Sequence, residues 1–133
     1  MAVLIDSGLL IDWEREDDAT GLESLVGDED RAISVITVSE LLHGVHRATG
    51  ARRTRRRAFV EHVLAGFDPL PITEPVARVH AEVWADLARR GEAIGAHDLW
   101  IAATALTHGF GIATRDREDF ERVHGLRVLA PAS

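Results

Sequence analysis

Four acidic residues stand at places in the chain where their carboxylates could come together. They are Asp6, Glu40, Asp98 and Asp116, and each lies just after an apolar run or near the start of a predicted helix. Carboxylates that crowd together raise one another's pKa values, so such a cluster is stable and useful chiefly when divalent cations neutralise it. Ligands that are all oxygen favour Mg²⁺ or Mn²⁺ over zinc. We therefore interpret these residues as candidate cation ligands.

The elements that must position these acids alternate between strands and helices. Short apolar runs rich in β-branched residues predict buried strands at 2–5, 32–36, 110–114 and 126–129. Helical periodicity, with Gly and Pro near several ends, predicts helices at 9–14, 22–26, 38–45, 53–65, 75–90, 97–106 and 117–122. The alternation predicts an α/β fold with a mainly parallel sheet, in which ligands bind beyond the carboxyl ends of the strands. Asp6, Glu40 and Asp116 would meet at that edge, and Asp98 would join them if its helix begins there.

Each acid also has a purely structural interpretation. Thr37-Val38-Ser39-Glu40 has the pattern of a capping box, and Asp116 with Asp119 three residues later has the pattern of a helix N-cap. Asp6 could cap the helix that follows it, and Asp98 could favour the positive end of its helix dipole. Taken singly, Glu40 and Asp116 are better explained as caps, but taken together the four carboxylates favour a cation site.

Composition excludes several classes of protein. The 133 residues contain no cysteine, and all fifteen basic residues are arginine, so disulfides, thiolate metal sites, Schiff-base lysines, P-loops and receiver domains are ruled out. The net charge of −7 argues against a protein that coats nucleic acid with its whole surface. The apolar N-terminal run is too short for a signal peptide or a membrane span, so we expect a cytoplasmic protein.

Four segments in this order resemble the acidic motifs of PIN-domain ribonucleases, in particular VapC toxins of type II toxin–antitoxin systems. They are VLID followed by Ser7, ITVSELLHGV, AHDLWIAATAL and IATRDREDF. The resemblance covers essentially the whole chain, which we expect to be a single PIN domain over 1–133. It implies a three-layer sandwich of a central sheet flanked by helices. It also implies Mg²⁺- or Mn²⁺-dependent endoribonuclease activity, neutralisation by a cognate antitoxin, and a homodimer.

The resemblance also implies roles for individual residues. Asp6 and Asp98 would be the main metal ligands, and Glu40 and Asp116 would complete the catalytic and metal-binding set. The supporting residues would be Ser7, Thr114, Arg115 and Asp119. The two hydroxyls would hold water or a carboxylate, the arginine would reach a phosphate or lie on the surface, and Asp119 would be a site residue or a helix cap. The chemistry would be phosphodiester hydrolysis by water, with one or two cations.

The arginine block, the tryptophans and His97 each have more than one possible role. The five arginines between Arg52 and Arg57 could bind RNA phosphates, pair with an acidic partner or form a solvated helix face, and we favour the last. Trp84 and Trp100 are predicted to lie in the core, and Trp13 in the core or an interface. His97, which precedes Asp98, could touch the site, and we favour a role as the N-terminal cap of its helix. The alternative functions are a PIN nuclease of RNA maturation and a catalytically silent RNA-binding module.

Overall fold

Four short parallel strands form the central sheet, in the order β2-β1-β3-β4. The computed structural model describes residues 1–16 and 20–131, so 17–19, part of the polar stretch before the second strand, and 132–133 lie outside the described residues. The strands are β1 (Ala2–Ile5), β2 (Asp30–Ala32), β3 (Gly111–Ala113) and β4 (Val128–Leu129). The prediction of a parallel sheet is confirmed.

Seven helices surround this sheet within the described ranges. They are α1 (Ser7–Glu16), α2 (Thr20–Val26), α3 (Val35–Arg47), α4 (Gly50–Ala65), α5 (Glu74–Arg89), α6 (Ala96–His108) and α7 (Arg117–Glu121). Their ends follow local chemistry: the Thr73 hydroxyl accepts a hydrogen bond from the amide of Val76 to begin α5, with Pro75 in the first turn. Gly109, with φ of 70°, ends α6 in the left-handed conformation that glycine tolerates best.

Side chains of the central strand β1 alternate between two hydrophobic clusters. Val3 and Ile5 pack with buried residues of α1, α2, α3 and α4 on one face of the sheet. Leu4 packs with Ile112 and with buried residues of α6 on the other face. Because successive side chains of a strand point to opposite faces, helices cover both faces and the fold is the predicted three-layer α/β sandwich.

The second predicted strand was placed too far along the chain. The strand ends at Ala32, and Ser34 is already the N-cap of α3, where its hydroxyl accepts a hydrogen bond from the amide of Ile36 at 3.0 Å. The apolar run looked like one strand because periodicity does not separate a short buried strand from a buried helix start. The capping-box interpretation of Glu40 is therefore wrong, since this residue lies in the second turn of α3.

The prediction of a core position is wrong for Trp84, while Trp100 is only half-buried and Trp13 packs against a core cluster. Trp84 is 62% exposed, because it lies one position off the stripe that α5 buries, which includes Val76 and Leu87. Trp100 is half-buried and stacks on the ring of His80 with ring centroids 3.6 Å apart. Trp13 packs at the edge of the cluster that contains Val3 and Ile5.

Among the described residues, no helix combines the length and the apolar character needed to cross a bilayer.

These packing positions predict contrasting costs for two aromatic substitutions. Phe120 is fully buried, so Phe120→Ala should lower the free energy of unfolding by about 3–5 kcal/mol. Trp84→Ala removes an exposed ring in edge contact with His80 and should cost about 0.5–1.5 kcal/mol. Urea unfolding followed by circular dichroism measures both values. Equal losses would mean that Phe120 is not buried, or that Trp84 is not exposed, as described.

Candidate active site

Asp6 lies at the carboxyl edge of the sheet and is held there by neighbouring groups. Its amide donates to the carbonyl of Ala113 at 2.9 Å, which continues the pairing of β1 with β3. The hydroxyl of Thr114 donates to Oδ2 of Asp6 at 2.8 Å, and the amide of Ser7 donates to Oδ1 at 2.9 Å. The carboxylate is almost wholly buried, and this burial raises its pKa although the two hydrogen bonds oppose the shift.

Asp98 reaches the same edge because α6 begins there. The helix has Gly95 as its N-cap and Asp98 in its first turn. One carboxylate oxygen each from Asp98, Asp116 and Asp119 lie within 4.8 Å of one another. Burial raises the pKa of Asp98 to about 7, helped by the negative charges of the nearby acids Asp6, Glu40, Asp116 and Asp119. The expectation that its helix would begin at this edge is confirmed.

Asp116 and Asp119 act as helix-end residues and as members of the acidic cluster. Oδ1 of Asp116 accepts a hydrogen bond from the amide of Asp119 at 3.4 Å, so Asp116 is the N-cap of α7, as the sequence suggested. The amide of Asp116 in turn donates to the Thr114 hydroxyl at 2.9 Å. A carboxylate oxygen of Asp119 lies 3.3 Å from the guanidinium of Arg122. The cap and the site are therefore not exclusive alternatives.

Glu40 lies at the border of the acidic cluster. Its Oε1 accepts a hydrogen bond from the Ser7 hydroxyl at 3.3 Å, and its Oε2 lies 3.6 Å from Nδ1 of His97. Partial burial raises the pKa of Glu40, and the charge of Asp6 raises it further. His97 thus touches the candidate site, which its position next to Asp98 left open, while the favoured interpretation as a cap is wrong, since Gly95 is the N-cap of α6.

Arg115 is positioned by helix α1. Its Nη1 donates to Oδ1 of Asp12 at 2.6 Å, and its side chain crosses directly over Gly8. A Cβ atom built on Gly8 would lie 2.9 Å from Nε of Arg115, so a larger residue there would displace the arginine. Burial raises the pKa of Asp6, and the charge of Arg115 opposes that rise only weakly. No pattern in the sequence predicts the pairing of Arg115 with Asp12.

The donor set fits a hard divalent cation. The three oxygens that lie close enough together to share an ion are all carboxylate oxygens, which are the ligands that Mg²⁺ and Mn²⁺ prefer. The raised pKa of Asp98 marks excess negative charge that a cation would relieve. In the sequence, the place of Asp119 within the fourth acidic motif favours a site residue, and its spacing of three residues from Asp116 favours a role at a helix start; in the structure its carboxylate belongs to the acidic cluster.

Comparison with known proteins places this geometry in a family. The profile of the PIN domain matches residues 3–126. The chain is 37% identical to ribonuclease VapC1 of Rickettsia felis over its full length and 98% of that protein. It is 35% identical to ribonuclease VapC of Rickettsia bellii, covering 97% of this chain and 96% of the relative. The chain therefore belongs to the PIN-domain family, within its VapC ribonuclease branch.

Solved structures give the same result. The VapBC-5 structure from Mycobacterium tuberculosis superposes with a TM-score of 0.81 at 29% identity, covering 97% of this chain and 98% of that one. The FitAcB structure from Neisseria gonorrhoeae superposes with a TM-score of 0.82 at 31% identity, covering 97% of both chains. The three-layer sandwich is thus the fold of toxin–antitoxin proteins of this family.

The Thr114 hydroxyl joins Asp6 to Asp116, which predicts the effect of removing it. Thr114→Val leaves the buried Asp6 carboxylate without one donor and the Asp116 amide without its acceptor. The free energy of unfolding should fall by about 1–3 kcal/mol, and the pKa of Asp6 should rise further. Urea unfolding and NMR titration of the carboxyl group measure these changes. Thr114→Ser keeps the hydroxyl and is the control; if the two variants match in both measurements, the bridging role is wrong.

Proposed function

We propose that this chain is an endoribonuclease that hydrolyses RNA phosphodiester bonds and depends on Mg²⁺ or Mn²⁺. The observation that carries the proposal is the convergence of five carboxylates at one edge of the sheet, three of them close enough to share an ion. The ribonuclease names of full-length relatives at 35–37% identity support the same activity. We take residues 1–133 to form a single PIN domain.

The acidic cluster would hold the cation. Asp6 and Asp98 are the proposed main ligands, as the resemblance implies. Asp116 and Asp119, whose carboxylate oxygens lie within 4.8 Å of one from Asp98, and Glu40 would complete the negative pocket. When bound, a divalent cation supplies charge neutralisation at the scissile phosphate and lowers the pKa of the attacking water. These roles of individual residues are proposed from the resemblance to VapC ribonucleases.

Residues around the ligands hold them in place. The Thr114 hydroxyl and the Ser7 amide fix both oxygens of Asp6, and the Ser7 hydroxyl orients Glu40. Such partners of metal ligands commonly account for a factor of about 10–100 in metal affinity or activity. Asp98 must lose its proton to bind a cation. Because its pKa is about 7, it would exchange the proton for the cation near neutral pH.

A cognate antitoxin is the proposed protein partner. Structural neighbours include a VapBC2 complex of Rickettsia felis with promoter DNA and a DNA-bound VapBC of Salmonella typhimurium, at TM-scores of 0.85 and 0.83. By analogy we propose that an antitoxin neutralises this chain, that the chain forms a homodimer, and that it acts in the cytoplasm. An intact set of acids disfavours a silent binding module, and the VapC relatives favour a toxin over RNA maturation.

Substitution of Asp98 tests catalysis apart from folding. Asp98→Asn removes a proposed ligand and should reduce RNA cleavage in Mg²⁺ or Mn²⁺ by at least about 10²-fold, as expected for loss of a group that organises charge at the reacting centre. EDTA should abolish cleavage by the unmodified chain. Asp68→Asn, an exposed acid remote in sequence from the motifs, is the matched control. Full activity of Asp98→Asn would overturn the assignment.

Asp98→Asn should preserve or raise the stability of the metal-free chain, although it lowers RNA cleavage. The pKa of Asp98 is about 7 in the folded chain and about 4 in an unfolded one. Its ionisation therefore destabilises the metal-free fold as pH rises from about 4 through 7. Thermal melts in EDTA at pH 8 should show Asp98→Asn equal to or more stable than the unmodified chain, so lost activity cannot be attributed to unfolding.

A further inference from the structure

A groove leads away from the acidic cluster along helix α3. One cavity of about 510 Å³ is lined near the acids by Ser7, Glu40 and His97, and at its far end by Arg47 and Arg56. A second cavity of about 280 Å³ shares Arg47 and Arg56 with the first and adds Arg52. We call the depression formed by these two cavities the arginine groove.

Helix geometry explains why the groove is continuous. Glu40, Gly44 and Arg47 share one face of α3, and the helical rise puts Arg47 about 10 Å along the axis from Glu40. Arg52 and Arg56 lie one turn apart on the facing helix α4. The guanidinium of Arg56 lies over Gly44, since a Cβ there would be in ordinary van der Waals contact, at 3.6 Å, with Nη1 of Arg56.

The arginines of the groove are arranged to meet an anion. Nε of Arg56 lies 3.0 Å from Oε2 of Glu14, with the two side chains 15% and 22% exposed; the two charges attract, but their geometry is not that of a hydrogen bond. The Nη1 side of the Arg56 guanidinium faces Gly44 and both cavities. Arg47 and Arg52 form no ion pair or side-chain hydrogen bond with any side chain that the structure describes, so their charges are available within that part of the chain.

The remaining arginines of the basic block serve other purposes. Arg53 donates to the carbonyl oxygens of Ala48 and His46 at 2.7 and 2.8 Å, which secures the end of α3. Arg55 and Arg57 are exposed on α4 and line neither cavity. The structure thus divides five neighbouring arginines into two that line the groove, one that stabilises a helix end and two on a solvated face.

We propose that the arginine groove binds the backbone phosphates of the RNA strand that flanks the scissile bond. This inference rests on the proposed ribonuclease function. A strand whose phosphate sits at the acids must leave the site along some path, and most of this chain, with a net charge of −7, repels it. Arginine pairs bidentately with phosphate, and such contacts position a strand without reading its sequence. An acidic protein segment is the competing occupant, but the continuity of the groove with the acids favours the substrate.

Two double variants of equal net charge test the groove. Arg47→Ala with Arg52→Ala removes two groove charges, and Arg55→Ala with Arg57→Ala removes two from the solvated face of α4. Both are made in the full chain carrying Asp98→Asn, which prevents cleavage of the probe, a fluorescent single-stranded RNA of mixed sequence. Binding is measured from low to high salt, and thermal melts verify that both variants fold.

For the groove variant, the slope of log affinity against log salt concentration should become shallower. The expected change is about 0.7 for each phosphate contact removed, or about 1.4 for two. The solvated-face variant should lose less than half of that. Equal losses would overturn the proposal, because they would reflect net charge alone. An unchanged RNA slope with weakened binding of poly-glutamate would also overturn it, in favour of an acidic protein segment.

A separate assay distinguishes failure of the groove from failure of the ribonuclease. With Asp98 intact, the groove variant should hydrolyse a small phosphodiester such as bis(p-nitrophenyl) phosphate at the unmodified rate in Mn²⁺, because so small a substrate does not extend into the groove. If the unmodified chain hydrolyses neither RNA nor the diester, the proposed function fails while the salt slopes still decide the groove. A groove variant that loses diester hydrolysis contradicts the proposed division between groove and acids.

Discussion

Mutual repulsion among carboxylates held in a partly buried pocket is the constraint on which this structure depends. Asp6 is almost wholly buried, and Asp98 has its pKa raised to about 7 by burial and by four neighbouring acids. Each ionised group in such a place costs free energy unless an opposite charge compensates it. Hydrogen bonds from Thr114 and Ser7 offset part of that cost at Asp6. The rest of the cost is what makes the pocket fit a divalent cation.

The sheet and the two helix starts gather the acids from distant parts of the chain. Register between β1 and β3 sets Asp6 beside Thr114, and the starts of α6 and α7 bring Asp98 and Asp116 to the same edge. Packing on both faces of the sheet keeps this edge rigid, since Val3 and Ile5 are buried on one face and Leu4 is buried on the other. A site built on rigid elements holds its geometry more precisely than one built on loops. The fold and the site therefore share one cause.

Much of this could be predicted from the sequence because the informative signals were local. The strands at 2–5 and near 112, the proline start of α5 and the glycine end of α6 follow from pattern and turn chemistry. The bounds of β2 could not be predicted, because this edge strand consists of Asp30, Arg31 and Ala32 and is not fully buried. The apolar run at 32–36 lies mostly beyond the strand, at the start of α3. The division of the arginine block could not be predicted either, since it depends on how α4 packs against α3 and on the pairing of Arg56 with Glu14.

Calorimetric titration of Mn²⁺ into the metal-free chain tests the central claim most directly. Performed at pH 6.5 in two buffers of different ionisation enthalpy, it counts the protons released as the cation binds. Since the pKa of Asp98 is about 7, binding should release more than half a proton per site at this pH, and the release should fall towards zero at pH 8.5. Binding without proton release at pH 6.5, or no binding at either pH, would contradict a pocket in which crowded carboxylates exchange a proton for a cation.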